Sequence, residues 1–424
     1  MGDHGAHIDR ISDLPRNLID VILQHLPIED LVKTTILSRK WRYMWTSVPQ
    51  LKFNSNFFSK CEDLGCLETY VTVTKLLLLY DGPMHKFILE IPSNFPIQRK
   101  LFNEWILFLS RKGVKHLELV NLANLRRVPC QMPSHIFSCQ ELTYLKLHNF
   151  ELSTSLDFGG FRNLVELRLY VIVFESDALE SLMSGCPLLE KLIIFHCSGF
   201  QHVNVHAPTL KVFHVYDSEV IKSISLKHKH NLIELILSAN TLVNNVEGGW
   251  VCDLLKGLLK IERLCLGRGY FKIFSAINPP VLLRSFNTLK YLELGDVNFD
   301  KVEERLFVIS LLQSSPNLEE LVIESKRDAV EPQVISKEFE SIDCCFSRLQ
   351  IVKLEVETEY KHALNLIRLV LAKASSLKVL SFKVGFGLSR SEAPILLGIS
   401  RDLLRMKRAS TAVEVIFFYE GLVE

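Results

Sequence analysis

The residues able to do chemistry are few and badly spaced for it. His202 and His206 stand four apart, and His228 and His230 flank Lys229. On a helix the first pair would share a face and could hold a metal ion. They lie instead in HVNVH, which alternates as a strand and turn do, and the second pair sits in a charged loop. Solvated histidines are expected at both places, and no metal site is assigned. Gly385-x-Gly387 follows a strand-like run, but Arg390 stands where a dinucleotide loop needs a third glycine. Cys344 and Cys345 are adjacent and so do not readily form an ordinary disulfide with each other. No GxxxxGK, HExxH or GxSxG motif occurs. Neither a catalytic residue nor a cofactor is expected, and the chemistry that remains is recognition.

Charge narrows the partners. Lys and Arg number 49 and Asp and Glu 48, so the basic excess that nucleic acid or an anionic membrane calls for is missing. The longest purely apolar runs are five or six residues, against about 20 for a membrane span. The polar MGDHGAHIDR start lacks a signal peptide's apolar core. The ten cysteines are scattered without a CxxC, several inside apolar runs. They read as reduced thiols used as small core hydrophobes, and an intracellular protein of the nucleus or cytoplasm is expected.

The elements that would position recognition residues begin in residues 10–49. Asp13 is placed to cap a helix with Pro15 in its first turn. Leu18, Val21, Ile22 and Leu26 form one apolar stripe, and Pro27 ends the helix. Glu29-Asp30 start a second helix carrying Leu31 and Ile36, and Ser38 is placed to cap a third with Trp41 and Trp45 on one face. Forty residues in three short helices cannot bury all these groups among themselves. They form either a helical cap on the next domain or a docking surface.

The ensemble Asp13-Leu14-Pro15, Leu18, Ile22, Leu26-Pro27, Leu31 and Ser38-Arg39-x-Trp41-Arg42-x-x-Trp45 resembles an F-box. The resemblance implies binding to a Skp-type adaptor and, through it, to a cullin ubiquitin ligase. Carried over by position, Leu14 and Pro15 contact the adaptor, with Leu26 and Pro27 on the same surface. Leu18, Ile22 and Leu31 are shared between interface and core, and Trp41 belongs to either.

Most of the remainder is a repeat. Leucine is the commonest residue, at 70 of 424, and L-x-x-L-x-L with conservative swaps recurs eleven times, from Val114 to Leu377, at steps of 21 to 31 residues. That period and strand core are those of leucine-rich repeats. In LTYLKL the alternation sends Leu145 and Leu147 inward and Tyr144, Lys146 and His148 outward. Leu145, Leu167, Leu235 and Leu292 are therefore expected in the core. Helical return segments are expected at Asp177–Met183, Leu306–Gln313 and Ala363–Ala374. The polar residue that usually bonds the turn after each strand survives only as Cys197 and Asn240, its place elsewhere holding Phe150, Ile172 or Val297. Residues 51–113, with a turn at Asp81-Gly82-Pro83 and a strand at Phe87–Ile91, read as a linker and irregular first repeat.

From about Phe339 to Tyr419 the chain resembles the FBD region of plant F-box proteins. The features are Cys344-Cys345, LQIVKLEV, ALNLIRLVLAKASSLKVL, Arg408-Ala409-Ser410 and VEVIFF. The whole chain is thus similar to plant F-box/FBD/leucine-rich-repeat proteins. The fold expected is α/β: a three-helix F-box (8–50), an irregular right-handed leucine-rich-repeat solenoid with a parallel sheet (repeats at 114–336), and an FBD cap (337–424) closed by a strand at Val413–Phe418. The resemblance implies a non-catalytic substrate-recognition subunit of a Skp–cullin–F-box ligase. The alternatives are a solenoid sensor of a small molecule or inositol phosphate, and an F-box scaffold outside any ligase. Outward positions Tyr144, Lys146, Arg168, Tyr170, Phe195, His214 and Tyr216 are the expected target-binding residues. Their aromatic and basic character favours an acidic or phosphorylated target segment.

Overall fold

Period-two alternation buries every second side chain of a strand, and a row of such strands shares one core. The computed structural model describes residues 11–122, 129–154, 158–175, 177–216, 221–239, 249–276, 286–325, 346–356, 360–385 and 393–419. Asn240, Cys344, Cys345, Gly387 and Arg390 lie outside the described residues. The chain divides into two units, Met1–Leu189 with His196–Phe200, and Glu190–Phe195 with Gln201–Glu424.

In the first unit, strands Gln50–Phe53, Lys86–Ile91, His116–Asn121, Tyr144–His148 and Glu166–Tyr170 pair in that order, all parallel. Their register aligns Leu51, Phe87, Leu117, Leu145 and Leu167, each at most 1% exposed. Burying one such side chain is worth about 1.5–3 kcal/mol. Helices Cys66–Leu79 and Arg99–Ser110 form return segments. The four leucines that end the first of these belong to that helix. Its end is fastened to the N-terminal helical segment. Asp81 N and Gly82 N both donate to Thr46 O at 3.0 Å, and Tyr80 Oη donates to Val48 O at 2.5 Å. A Cβ on Gly82 would stand 2.6 Å from Ser47 Cα, so this approach requires glycine.

The N-terminal segment differs from expectation in two places. The first helix is Arg16–Gln24, with Pro15 rather than Asp13 as its N-cap and no side-chain cap bond. Proline there supplies a helix-compatible φ and loses no needed N–H. The second helix is Ile28–Lys33, continued by a 3-10 turn at Thr34–Ile36. The expected third helix is a run of turns ending in a 3-10 turn, Met44–Ser47. Trp41, Met44 and Trp45 are buried there all the same.

The turn after each strand also differs. Asn121 and Asn149 are buried and bond each other's backbone: Asn121 Nδ2 donates to Asn149 O at 3.1 Å, and Asn149 Nδ2 to Asn121 O at 3.0 Å. The polar group thus sits one residue before Phe150, which is buried as an apolar plug. The shift is made possible by a left-handed residue at this place, with φ of 62° at Asn149, 54° at Val171 and 51° at His196. Cys197 keeps the expected role, its thiol donating to Leu169 O at 3.5 Å.

In the second unit, strands Lys191–Phe195, Val212–Tyr216, Glu234–Ser238, Arg263–Leu266, Tyr291–Val297, Glu320–Ser325, Ile351–Val356, Val379–Val384 and Glu414–Tyr419 pair in parallel, in that order. Leu192, Phe213, Leu235, Leu264, Leu292 and Leu321 are in register and fully buried. The return helices Ala178–Ser184 of the first unit and Val302–Ser314 and Tyr360–Lys373 of the second agree with expectation within a few residues. The last strand is the expected closing one, with Phe417 stacked on Phe382 at 5.8 Å.

Candidate functional site: two docking faces

The helix Arg16–Gln24 carries two apolar stripes. Ile19 and Leu23 are buried at 1% exposure against the rest of the first unit. Leu18, Val21 and Ile22 are 47%, 52% and 45% exposed, and Leu26 follows at 37%. Pro15 and Pro27 are exposed beside them, and Leu14 is half-buried. Ile11, Ile36, Leu37 and Tyr43, which the sequence reading did not assign to an interface, are exposed as well. Large apolar groups gathered this densely in one short segment are uncommon on the surface of a monomer. Leu31, expected to be shared between interface and core, and Trp41, expected in either, lie on the core side. Both are buried, and the Trp41 indole N–H donates to Ser12 Oγ at 2.7 Å, so they hold the segment together.

The outward face of the first unit's sheet is aromatic and charge-matched. His116 and Tyr144 stack at 4.0 Å, Arg168 lies over Tyr144 at 5.6 Å, and Lys146 over Tyr170 at 6.0 Å. Glu118 receives His116 at 2.7 Å and Lys146 at 3.4 Å, and Arg168 donates to Glu166 at 2.6 Å. Burial pushes the Glu118 carboxyl up, but His116 and Lys146 outweigh it and hold it below its ordinary value. The same burial drives the Tyr144 phenol up to about 12, with Glu118 adding to it. His148 is held below the usual histidine range by burial.

In the second unit, Phe195 and Tyr216 meet at 5.8 Å, and His214 meets Tyr216 edge-on at 5.8 Å. His214 is buried, 3.2 Å from Glu234, and burial depresses its pKa more than that carboxylate restores it. Arg263 lies over Tyr291 at 3.7 Å and 3.5 Å from Glu234. Each cation expected to attract an acidic target, Lys146, Arg168 or His214, therefore already faces a carboxylate of its own chain.

The histidine pairs are surface groups. His202 and His206 are exposed, His202 against Ser223 Oγ at 2.7 Å, and the His228 and His230 rings lie 5.9 Å apart. Among the described residues no group of three His, Cys, Asp or Glu is placed to hold a metal ion, and no helix is long and apolar enough to cross a membrane. The described cysteines are free thiols.

The N-terminal helical segment and the strand repeats both have counterparts in known proteins. Residues 11–53 match the F-box domain family, and residues 102–251 match the repeats of "FBD-associated F-box protein At5g56370, LRR repeats". The chain is 32% identical over 431 residues to "F-box/FBD/LRR-repeat protein At1g13570" of Arabidopsis thaliana, covering 98% of this chain and 100% of that one. It is 26% identical to "F-box/FBD/LRR-repeat protein At1g78750" of the same plant, over 96% of each chain. It is 30% identical to "F-box/LRR-repeat protein 13", also of Arabidopsis thaliana, over 50% of this chain and 47% of that one.

Proposed function

Because the chain belongs to the F-box/FBD/LRR-repeat family, we propose that it is the substrate-recognition subunit of a Skp–cullin–F-box ubiquitin ligase. The N-terminal helices dock a Skp-type adaptor, the adaptor joins them to a cullin, and the repeats hold the target protein. The chain itself catalyses nothing in this reading, since ubiquitin transfer belongs to other subunits. Its place of action is then the nucleus or cytoplasm.

The observation that carries the reading is the split helix Arg16–Gln24. Its Ile19 and Leu23 stripe is satisfied within the chain, while the Leu18, Val21 and Ile22 stripe is left to a partner. Leu14, Pro15, Leu26 and Pro27 border the second stripe and complete the docking surface. Exposing such a stripe to water is unfavourable, and a partner's apolar helices relieve it. On the repeats, half-buried Tyr144, Lys146, Arg168 and Tyr170 in the first unit and Phe195 and Tyr216 in the second are the target-contacting groups, with buried His214 supporting Tyr216 edge-on, since aromatics beside arginine are common hot-spot residues.

The sensor of an anionic small molecule is disfavoured, because Lys146, Arg168 and Arg263 each already pair with Glu118, Glu166 or Glu234. Co-purification of the full chain with a Skp-type adaptor and a cullin tests the reading. Recovery of both supports it. Recovery of the adaptor without the cullin points to a scaffold outside the ligase, and recovery of neither overturns it.

A further inference from the structure

The second unit's outward face contains a recess that begins at Tyr216 and runs on beyond the docking faces described above. Leu237, Leu266, Leu294 and Ile323 are aligned core residues on four consecutive strands. The residues that follow them, Ser238, Gly267, Gly295 and Glu324, line the outward side, Gly267 standing just past its strand at the start of the helix Arg268–Ser275. Two glycines side by side remove the side chains that would fill the row. A Cβ on Gly267 would stand 2.4 Å from Ser238 Oγ, so that strand crossing tolerates nothing larger. The result is a cleft of about 230 Å³, with Tyr216 at one end and Glu324 at the other. Cys265 and Glu293 line it one step down the strands, and Arg268 and Asp296 stand at its rim.

Size and charge select the occupant. Drug-sized ligands occupy roughly 300–1,000 Å³, so this cleft is scaled to a single side chain. Three carboxylates, those of Glu293, Asp296 and Glu324, stand against two cations, Arg268 in the lining and Lys272 behind Asp296. Asp296 is the most enclosed of them. Its side chain is only 3% exposed, its backbone is held at a φ of 60°, and neither carboxylate oxygen receives a hydrogen bond. Arg268 Nε and Lys272 Nζ stand 3.1 and 3.4 Å away as counter-charges, outside hydrogen-bond geometry. Its charge is met inside the wall by these two cations, which leaves Glu293, half-buried, and Glu324, exposed, as the carboxylates a ligand in the cleft can reach. Glu293 is one-sided: Tyr291 Oη at 2.6 Å and Cys265 Sγ at 3.7 Å both donate to Oε2. Burial, reinforced by Glu293, raises the Cys265 thiol to about 12, so it is a protonated wall and not a nucleophile.

We propose that this cleft is a subsite for one arginine side chain of the target protein. The inference rests on the reading of the repeats as a target receptor and adds the chemistry recognised. Arginine fits where lysine does not, because its planar group carries five N–H donors in a fork that can serve two carboxylates at once. The same plane can stack on the Tyr216 ring, as Arg263 does on Tyr291 within this protein.

The test is saturation-transfer NMR on the full chain, with the peptide acetyl-Gly-Arg-Gly-amide and its citrulline counterpart, which keeps the shape and removes the charge. The arginine peptide should bind at least tenfold more tightly than the citrulline peptide. Glu293→Gln should weaken it tenfold or more, with the thermal midpoint checked alongside. If Glu293→Gln fails to fold, Glu324→Gln, at the exposed end of the cleft, takes its place and should weaken binding severalfold. Equal binding of the two peptides, or arginine binding untouched by the substitution that folds, overturns the proposal. So does preferential binding of inorganic phosphate, which would assign the cleft to Arg268 as an anion site. An adaptor pull-down on the same preparation separates the two ideas: arginine binding without adaptor binding would leave the subsite standing and remove the ligase role.

Discussion

Asn121 and Asn149, in successive repeats, each donate a side-chain amide to the other's backbone carbonyl, at 3.1 and 3.0 Å. The exchange extends the contact between two neighbouring strands one step beyond their last register pair, Val120 with His148, and Asn149 makes it from a left-handed backbone position. Asparagine is among the few residues that combine a short amide with tolerance of that conformation. Asn149→Ala should therefore cost about 2–3 kcal/mol, combining a lost buried hydrogen bond with backbone strain. Asn149→Gly should cost less, because it removes only the bond. Urea unfolding of both variants checks this, and equal losses would show that the backbone conformation contributes nothing.

Docking separates by stripe. Ile22→Lys, or Leu14→Ala with Pro15→Ala, should abolish adaptor pull-down while the repeats stay folded, since losing an interface anchor costs about 2 kcal/mol or more. Trp41→Ala should act differently. It removes a buried side chain and its bond to Ser12, so it should destabilise the N-terminal segment by about 3–5 kcal/mol. Circular dichroism melts beside the pull-down distinguish lost docking from lost folding. Unchanged binding by the Leu14/Pro15 double variant would remove the docking assignment.

Target recognition is tested in cells. Tyr170→Ala and Phe195→Ala should stabilise the target protein without changing adaptor recovery. Normal degradation with both variants would move recognition to other outward positions or to the loops.

Acid should weaken the fold through two histidines, buried His214 and half-buried His148. Burial holds His148 and His214 below their ordinary pKa, so the folded chain takes up fewer protons than the unfolded one. Stability from these groups is then present above the unfolded histidine value, about 6.5, and is lost as pH falls through and below it. Glu118, held low by His116 and Lys146, adds a loss in the same direction below the ordinary carboxylate range. The thermal midpoint should fall between pH 7.5 and 5.5, and by less in a His148→Gln, His214→Gln variant. An identical fall in that variant would show that other groups carry the effect.

The amino-acid sequence determined the repeat. Leu145, Leu167, Leu235 and Leu292 were legible as core residues because alternation with period two is a local property of each strand, repeated in phase along the chain. The docking helix was legible as a stripe for the same reason, at a period of 3.6. Tertiary structure decided what depends on neighbours distant in sequence. Ile19 and Leu23 are as apolar as Leu18 and Ile22, and only packing against chain distant in sequence, the turn Met44–Ser47 among it, made one pair core and the other surface. The strand Gln50–Phe53 is too short to announce itself and exists because Lys86–Ile91 pairs with it. Nothing local shows that Lys146 reaches Glu118, 28 residues earlier, or that Ser238, Gly267 and Gly295 fall side by side. Irregular repeat lengths hide such alignments in the sequence, and the hydrogen-bonded register of the sheet sets them.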